Sequence, residues 1–297
     1  MANLRAAGFA PALDRGALKR AQRFAGGDKD RAAAFARAAA RPEPVVMITR
    51  GGYGTMRLLP MLDWAALAAA GKRWVGFSDF TAFQLAMLAK TGAVTWAGPA
   101  LLDDFGPEEP DDLTVALFGE AMRDELELLG FRASGPKGLD VRGTLWGGNL
   151  SVLAALVGTP WLPRVEGGIL FLEDVGEHPY RIERMLIQLL EAGILDRQAA
   201  ILLGGFDRYR TVPHDAGYDL PAVRRWLAGR TATPIVTGLP FGHEGTKSTL
   251  PHGARVGLAI EGRTAYLVLP GHAHDDEGGH DHGHEGHDHP HHHHDGH

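Results

Sequence analysis

The stretch MITRGGYGTMRLLP, residues 47–60, decides how the chain is read. An apolar run, Val45-Val46-Met47-Ile48, ends in Gly51-Gly52-Tyr53-Gly54, and the pattern then turns helical. A chain places glycines like this where its backbone must bend sharply or lie close to something. The run predicts a buried strand and residues 55–70 a helix, so the loop is a strand-to-helix turn. Gly52-x-Gly54 is half a dinucleotide fingerprint, but Arg57 stands where the third glycine belongs. No Lys-Ser or Lys-Thr follows at phosphate-loop spacing either. A phosphate cradle is therefore disfavoured. What remains is a set of exposed N–H groups suited to a carbonyl oxygen, or a plain tight turn. For an isolated Gly-Gly the plain turn is the better reading.

Outward from this loop, helices and strands alternate. Residues 17–40 predict an Ala-rich helix, 73–77 (RWVGF) a short strand and 80–90 a helix. That rhythm belongs to a parallel α/β sheet. The segment 103–112, DDFGPEEPDD, is acidic and Pro-rich and opens a linker region over residues 106–140, with helical pattern over 113–129 and loop-like sequence over 130–140. It separates an N-terminal part (residues 1–105) from a C-terminal part (141–270). The second part predicts a strand at 168–173, a helix at 179–192, a strand at 200–204 and a terminal hairpin, ARVGLAI-EGR-TAYLVL. Ile182, Met185, Leu186, Leu189 and Leu190 form the buried stripe of the 179–192 helix.

Composition narrows the function. The chain has 297 residues, 44% hydrophobic, enough for a substantial core in one large or two modest domains. A net charge of −6 with no long basic run argues against nucleic acid. Cysteine is absent, which removes disulfides and thiolate metal sites. No run approaches the ~18 apolar residues of a membrane helix, and the N-terminus lacks the apolar core of a secretion signal. The expected location is cytoplasmic. Residues 271–297 hold 12 of the 16 histidines and no aliphatic residue larger than Ala. They predict a disordered tail suited to loose Zn²⁺ or Ni²⁺ binding.

Several residues stand in positions fit for chemistry. Ser78 in VGFSDFTAF ends a strand and starts a helix, the logic of a nucleophile elbow, with Phe80 replacing the second glycine. Simple N-capping by Ser78 or Asp79 is the stronger local alternative. A serine nucleophile needs a base, and the base an acceptor to orient it. Four histidines lie outside the tail: His178, His214, His243 and His252. His243 sits in the Gly/Pro-rich loop GLPFGHEGTKSTLPHG, and Glu173 ends the apolar strand of LFLEDVGEH. For Glu173-Asp174, helix capping or a Mg²⁺ site are the alternatives. Trp146-Gly147-Gly148-Asn149 reads as another close-approach loop, lining a pocket unless Asn149 only caps the next helix. Tyr53, Trp64 and Trp161 are aromatics of the kind more often found in the core than against a ligand.

Together these stretches resemble the LD-carboxypeptidase family of serine peptidases, whose best-known members are the muramoyltetrapeptide carboxypeptidases of cell-wall recycling. The similar segments are RGGYGTMRLLPMLDW, VGFSDFTAF, GGNLSVLAALVGTPW, LFLEDVGEHPYRIERML and LPFGHEGTKSTLPHG, in family order across most of residues 45–257. The resemblance implies a three-layer parallel-sheet N-terminal domain, a smaller C-terminal α/β domain, a site between them and a homodimer. It implies a triad of Ser78 as nucleophile, His243 as base and Glu173 as its orienting carboxylate. Gly52 and Asp79 would supply the oxyanion N–H groups, and Gly51, Tyr53, Trp146 and Asn149 the substrate contacts. No metal or other cofactor is implied, and the substrate would be a muropeptide ending in D-Ala. Some relatives resemble self-immunity hydrolases of acyl-sulfamoyl nucleotides of the microcin C type, which is the alternative substrate. A metal-binding protein acting through its tail is the alternative outside enzymology. Family members usually begin with an apolar strand and a Pro-Ser turn before the first helix, whereas this chain starts inside that helix, at LRAAGFAP; the expectation is either a misassigned start or a missing strand, and losing a central parallel strand would expose two sheet edges.

Overall fold

The computed structural model describes residues 1–270. The expectations of disorder and loose metal binding for residues 271–297 lie outside the described residues. The first sheet begins with β1 (Val45–Met47), β2 (Arg73–Gly76) and β3 (Thr95–Ala97), all parallel. The second is built from β4 (Leu128–Arg132), β5 (Asp140–Asn149), β6 (Ile169–Val175), β7 (Ala200–Asp207) and β8 (Ile235–Thr237). The chain then returns: β9 (Leu250–His252) pairs antiparallel with β3 of the first sheet. It is followed by the hairpin β10 (Arg255–Glu261) and β11 (Thr264–Val268). The orders are β1-β2-β3-β9 and β4-β11-β10-β5-β6-β7-β8. In the larger sheet β5 to β8 run parallel, while β4, β11 and β10 join antiparallel. The molecule is mixed α/β with two sheets, one of four strands and one of seven.

The two sheets share packing. Val75, Phe77 and Ala97 from the first part lie in one apolar cluster with Phe171, Leu202, Phe241 and Leu250 from the second. A further cluster joins Ala82, Leu85 and Ala86 of the helix Thr81–Thr91 to Leu150, Leu153, Leu170 and Leu186. Segments on either side of the seam thus pack into the same apolar clusters. Close-packed interiors transmit position in this way.

Three local expectations change. The 17–40 helix is shortened to Asp28–Ala39, because Gly26 sits at φ +95° and Gly27 is the N-cap, its N–H bonded to Asp30. The 55–70 helix breaks at Pro60 into a single 3₁₀ turn, Leu59–Met61, and a helix Trp64–Ala69 whose cap Asp63 accepts from Ala66 N–H at 3.0 Å. The 106–140 linker is in large part structured: it holds the helix Asp112–Met122, capped by Asp111, and β4. Its strand was hidden because β4 finds its partner, β11, more than a hundred residues later. β1 pairs directly with β2 and forms a single outer edge, beside a groove lined by Leu4, Phe9, Val45, Met47 and Phe118.

Candidate active site

Ser78 follows β2 and precedes the helix Thr81–Thr91, with φ +61°. A left-handed, non-glycine residue at that junction stores backbone strain and turns the side chain out of the sheet edge. Gly76, two residues earlier, is needed for packing: a Cβ there would meet Phe80 Cδ1 at 2.7 Å and Ile48 Cδ1 at 2.8 Å. Neither Ser78 nor Asp79 caps the helix. The buried Asp79 carboxylate instead accepts from Thr55 N–H (2.8 Å) and Thr55 Oγ1–H (2.7 Å), tying the glycine loop to the serine turn. A Cβ on Gly51 would lie 2.9 Å from Ser78 Cβ and 3.0 Å from its Oγ. Gly52 is exposed with φ +124°, and Tyr53 is 53% exposed. Among the described residues nothing accepts from the N–H of Gly52 or of Asp79.

The base comes from the other side of the seam. His243 Nε2 stands 3.0 Å from Ser78 Oγ, and His243 Nδ1 is 2.7 Å from Glu173 Oε2. A carboxylate only accepts, so the proton belongs on Nδ1, leaving the Nε2 lone pair for the serine hydroxyl. The His243 loop reaches this place across glycines. β7 slips by one residue against β6 beyond Leu172, and Gly205 N–H donates to Phe241 O at 2.8 Å. A Cβ on Gly204 would lie 2.2 Å from Phe241 O, and one on Gly242 3.0 Å from Gly205 Cα. In the sequence the signal for this close approach is Gly204-Gly205 inside an apolar strand.

Glu173 and its neighbour Asp174 divide the work. Glu173 is fully buried and accepts from His243 on one oxygen and from Asn149 Nδ2–H (3.1 Å) on the other. Burial pushes its carboxyl above the usual range, opposed by the hydrogen bond and charge of His243. Asp174 accepts from Ser151 N–H, Ser151 Oγ–H, Asn149 Nδ2–H and Val175 N–H, between 2.6 and 3.0 Å. It holds the start of the helix Leu150–Ala155, and none of these hydrogen bonds involves the imidazole.

Two expected substrate contacts are placed elsewhere. Trp146 is 1% exposed, with its indole N–H bonded to Gln198 Oε1 at 2.9 Å. Asn149 is buried, caps Val152 N–H at 3.1 Å, and fixes Glu173 and Asp174. Their loop does approach something closely, but it is the other half of the molecule. A Cβ on Gly148 (φ +119°) would lie 2.6 Å from Thr81 Oγ1, which accepts from Asn149 N–H. The remaining histidines are occupied or remote: His178 donates to Asp215, His214 is exposed, and His252 is buried in β9.

A lysine in a Gly/Pro-rich loop reads as solvent-exposed, but Lys247 is buried. Its side chain is 2% exposed, with Nζ 2.8 and 3.1 Å from the two Asp104 oxygens and 3.3 Å from the Phe77 ring centroid. The Phe77 ring in turn lies 4.9 Å from that of His243. This pair pins the His243 loop to the residue preceding Ser78.

The same two-part layout is found in known proteins. The model of the LD-carboxypeptidase N-terminal domain matches residues 1–98, and that of the LD-carboxypeptidase C-terminal domain matches residues 142–258. The chain belongs to the LD-carboxypeptidase family. A muramoyltetrapeptide carboxypeptidase from Oxalobacter formigenes superposes with a TM-score of 0.80 at 46% identity, over 84% of this chain and 86% of that one. The murein tetrapeptide carboxypeptidase of Pseudomonas aeruginosa is 35% identical over 70% of each chain. The microcin C7 self-immunity protein MccF of Escherichia coli is 28% identical over 81% of this chain and 78% of its own length. Among the described residues of this LD-carboxypeptidase family member, no helix is long and apolar enough to cross a membrane. No group of three or more His, Asp and Glu side chains among them is arranged to hold a metal ion.

Proposed function

We propose that the chain is a serine carboxypeptidase that releases the terminal D-Ala from peptidoglycan-derived tetrapeptides, cutting the bond to an L-configured centre. The observation that carries this is the continuous contact Ser78–His243–Glu173, drawn from three distant segments onto a strained turn. Ser78 Oγ attacks the scissile carbonyl while His243 Nε2 takes its proton. His243 then gives that proton to the leaving amine. Glu173 holds the tautomer and balances the imidazolium that forms. The negative oxygen rests on the N–H groups of Gly52 and Asp79. Water, activated by the same imidazole, releases the acyl-enzyme. Nucleophile, base and oxyanion donors all come from the chain, so the reading asks for no metal. A cytoplasmic homodimer acting in cell-wall recycling belongs to this reading.

The test is release of D-Ala from purified murein tetrapeptide, with and without EDTA, beside a D,D-linked pentapeptide and an acyl-sulfamoyl nucleotide. The reading expects chelator-insensitive release from the tetrapeptide and little from the other two. Turnover of the nucleotide alone would assign the site to self-immunity chemistry, and loss of activity in EDTA would remove the metal-free mechanism.

A further inference from the structure

A carboxypeptidase differs from an endopeptidase in one requirement: it must sense the free carboxylate of the residue it removes. That carboxylate carbon is joined to the scissile carbonyl carbon by three bonds, so it lies no more than about 4 Å from it. The group that reads it must therefore sit beside the nucleophile, and a guanidinium suits a carboxylate best because its fork offers two parallel N–H donors.

Most cations around the seam are already engaged. Lys247 is buried against Asp104, Arg208 pairs with Glu244, Arg181 with Glu177, and Arg31 and Arg57 both pair with Asp28. Arg50 is exposed and has no hydrogen bond, ion pair or ring contact among the described residues. Its Nη2 lies 3.8 Å from where a Cβ on Gly52 would be, while the preceding glycine, Gly51, abuts Ser78. The guanidinium and the serine hydroxyl thus flank the same two glycines. The backbone that carries Arg50 is held on both sides. Ile48 O and Thr49 O accept from Leu101 N–H (3.0 Å) and Leu102 N–H (2.8 Å), and Thr55 is bound to Asp79. A fixed backbone with a free cation over the glycine loop is a reader awaiting an anion.

We infer that Arg50 binds the C-terminal carboxylate of the departing D-amino acid and makes the enzyme an exopeptidase. The inference rests on the carboxypeptidase reading above. It assigns Arg50 to the leaving group, not to the oxyanion.

The experiment compares a tetrapeptide with a free C-terminal D-Ala and the same peptide ending in D-Ala amide, for the wild type, Arg50→Ala and Arg50→Lys. The scissile bond is identical in both substrates. The wild type should prefer the acid, and Arg50→Ala should lower kcat/KM on the acid by about 10²-fold, the value of a charge-assisted pair. On the amide it should change by no more than a few-fold, so that the preference collapses. Arg50→Lys should recover part of the preference, keeping charge without the fork. Thermal melts confirm that each variant is folded. An Arg50→Ala enzyme that retains the wild-type preference overturns the inference. Equal losses on acid and amide also overturn it and move Arg50 to the oxyanion. A wild type inactive on both peptides instead defeats the carboxypeptidase reading, and the inference with it.

Discussion

Two glycine loops end strands of different sheets in this molecule, and they do opposite things. Gly51-Gly52 follows β1 and comes up against Ser78 with its far side open to solvent. Gly147-Gly148 ends β5 and is closed in by Phe171 O and Thr81 Oγ1, at 2.0 and 2.6 Å from the positions their Cβ atoms would take. In sequence both read as close-approach loops. In space the N–H groups of the first find no acceptor among the described residues, and the second brings the two halves together so that Asn149 can reach Glu173. A glycine pair tells that something lies close; only packing tells whether it is substrate or protein.

The comparison can be broken most forcefully at the acid that the buried loop supports. Glu173→Gln should lower kcat by about 10²–10⁴-fold, since the imidazole loses its counter-charge and an amide N–H facing Nδ1 imposes the wrong tautomer. Stability should move the other way. The folded-state pKa of Glu173 is raised above 4.5, so ionisation in the native state weakens folding as pH rises through that elevated value. Below 4.5 both folded and unfolded wild type carry the proton and this term vanishes. Urea unfolding should therefore show Glu173→Gln gaining on the wild type from pH 4 to pH 7.5. A difference independent of pH would contradict the assignment.

Gly148→Ala comes next. Its positive φ and the contact with Thr81 should together destabilise by about 3 kcal/mol, read as a lower melting temperature. A wild-type melting curve would mean the seam is looser than described. Beside that loop, burial of the His252 imidazole pushes it down from 6.5 to about 4, opposed in part by the backbone of Gly147. The unfolded chain takes up a proton at His252 below pH 6.5 while the folded chain does not, so stability is lost as pH falls from 6.5 towards 4. The loss reaches about 3 kcal/mol at the lower end. His252→Gln should flatten that part of the stability–pH curve; an unchanged slope would place the titration elsewhere. The smallest effect on folding belongs to the open loop. Gly51→Ala should leave the melting temperature within a few degrees but lower kcat by about 10–100-fold, because the new Cβ crowds Ser78. Lost stability with retained turnover would erase the distinction between the two loops.

Much of the site was legible because its residues sit at strand ends, where local sequence marks both the end of burial and the start of a loop. Ser78, Glu173 and His243 were each ambiguous alone and gained meaning from their order and from the resemblance of five segments to one family. What stayed hidden depends on partners distant in sequence. Lys247 meets Asp104 across 143 residues, and Asn149 meets Glu173 across 24, so neither neighbourhood shows what its side chain does. Trp146 misled for the same reason: its indole N–H is satisfied by Gln198, 52 residues away. The linker misled because the partner of β4 is the last strand described. The strand and helix pattern itself came through well in the helix Pro179–Glu191 and the β10–β11 hairpin.

The central claim is that Ser78 and His243, from opposite sides of the seam, act as one nucleophile. A double-mutant cycle on kcat for D-Ala release from murein tetrapeptide tests it directly. Ser78→Ala and His243→Ala should each lower kcat by roughly 10⁴-fold or more, and the double variant should be little worse than either, as groups acting as a unit require. Losses that multiply in the double variant, or near-wild-type turnover by Ser78→Ala, would contradict it.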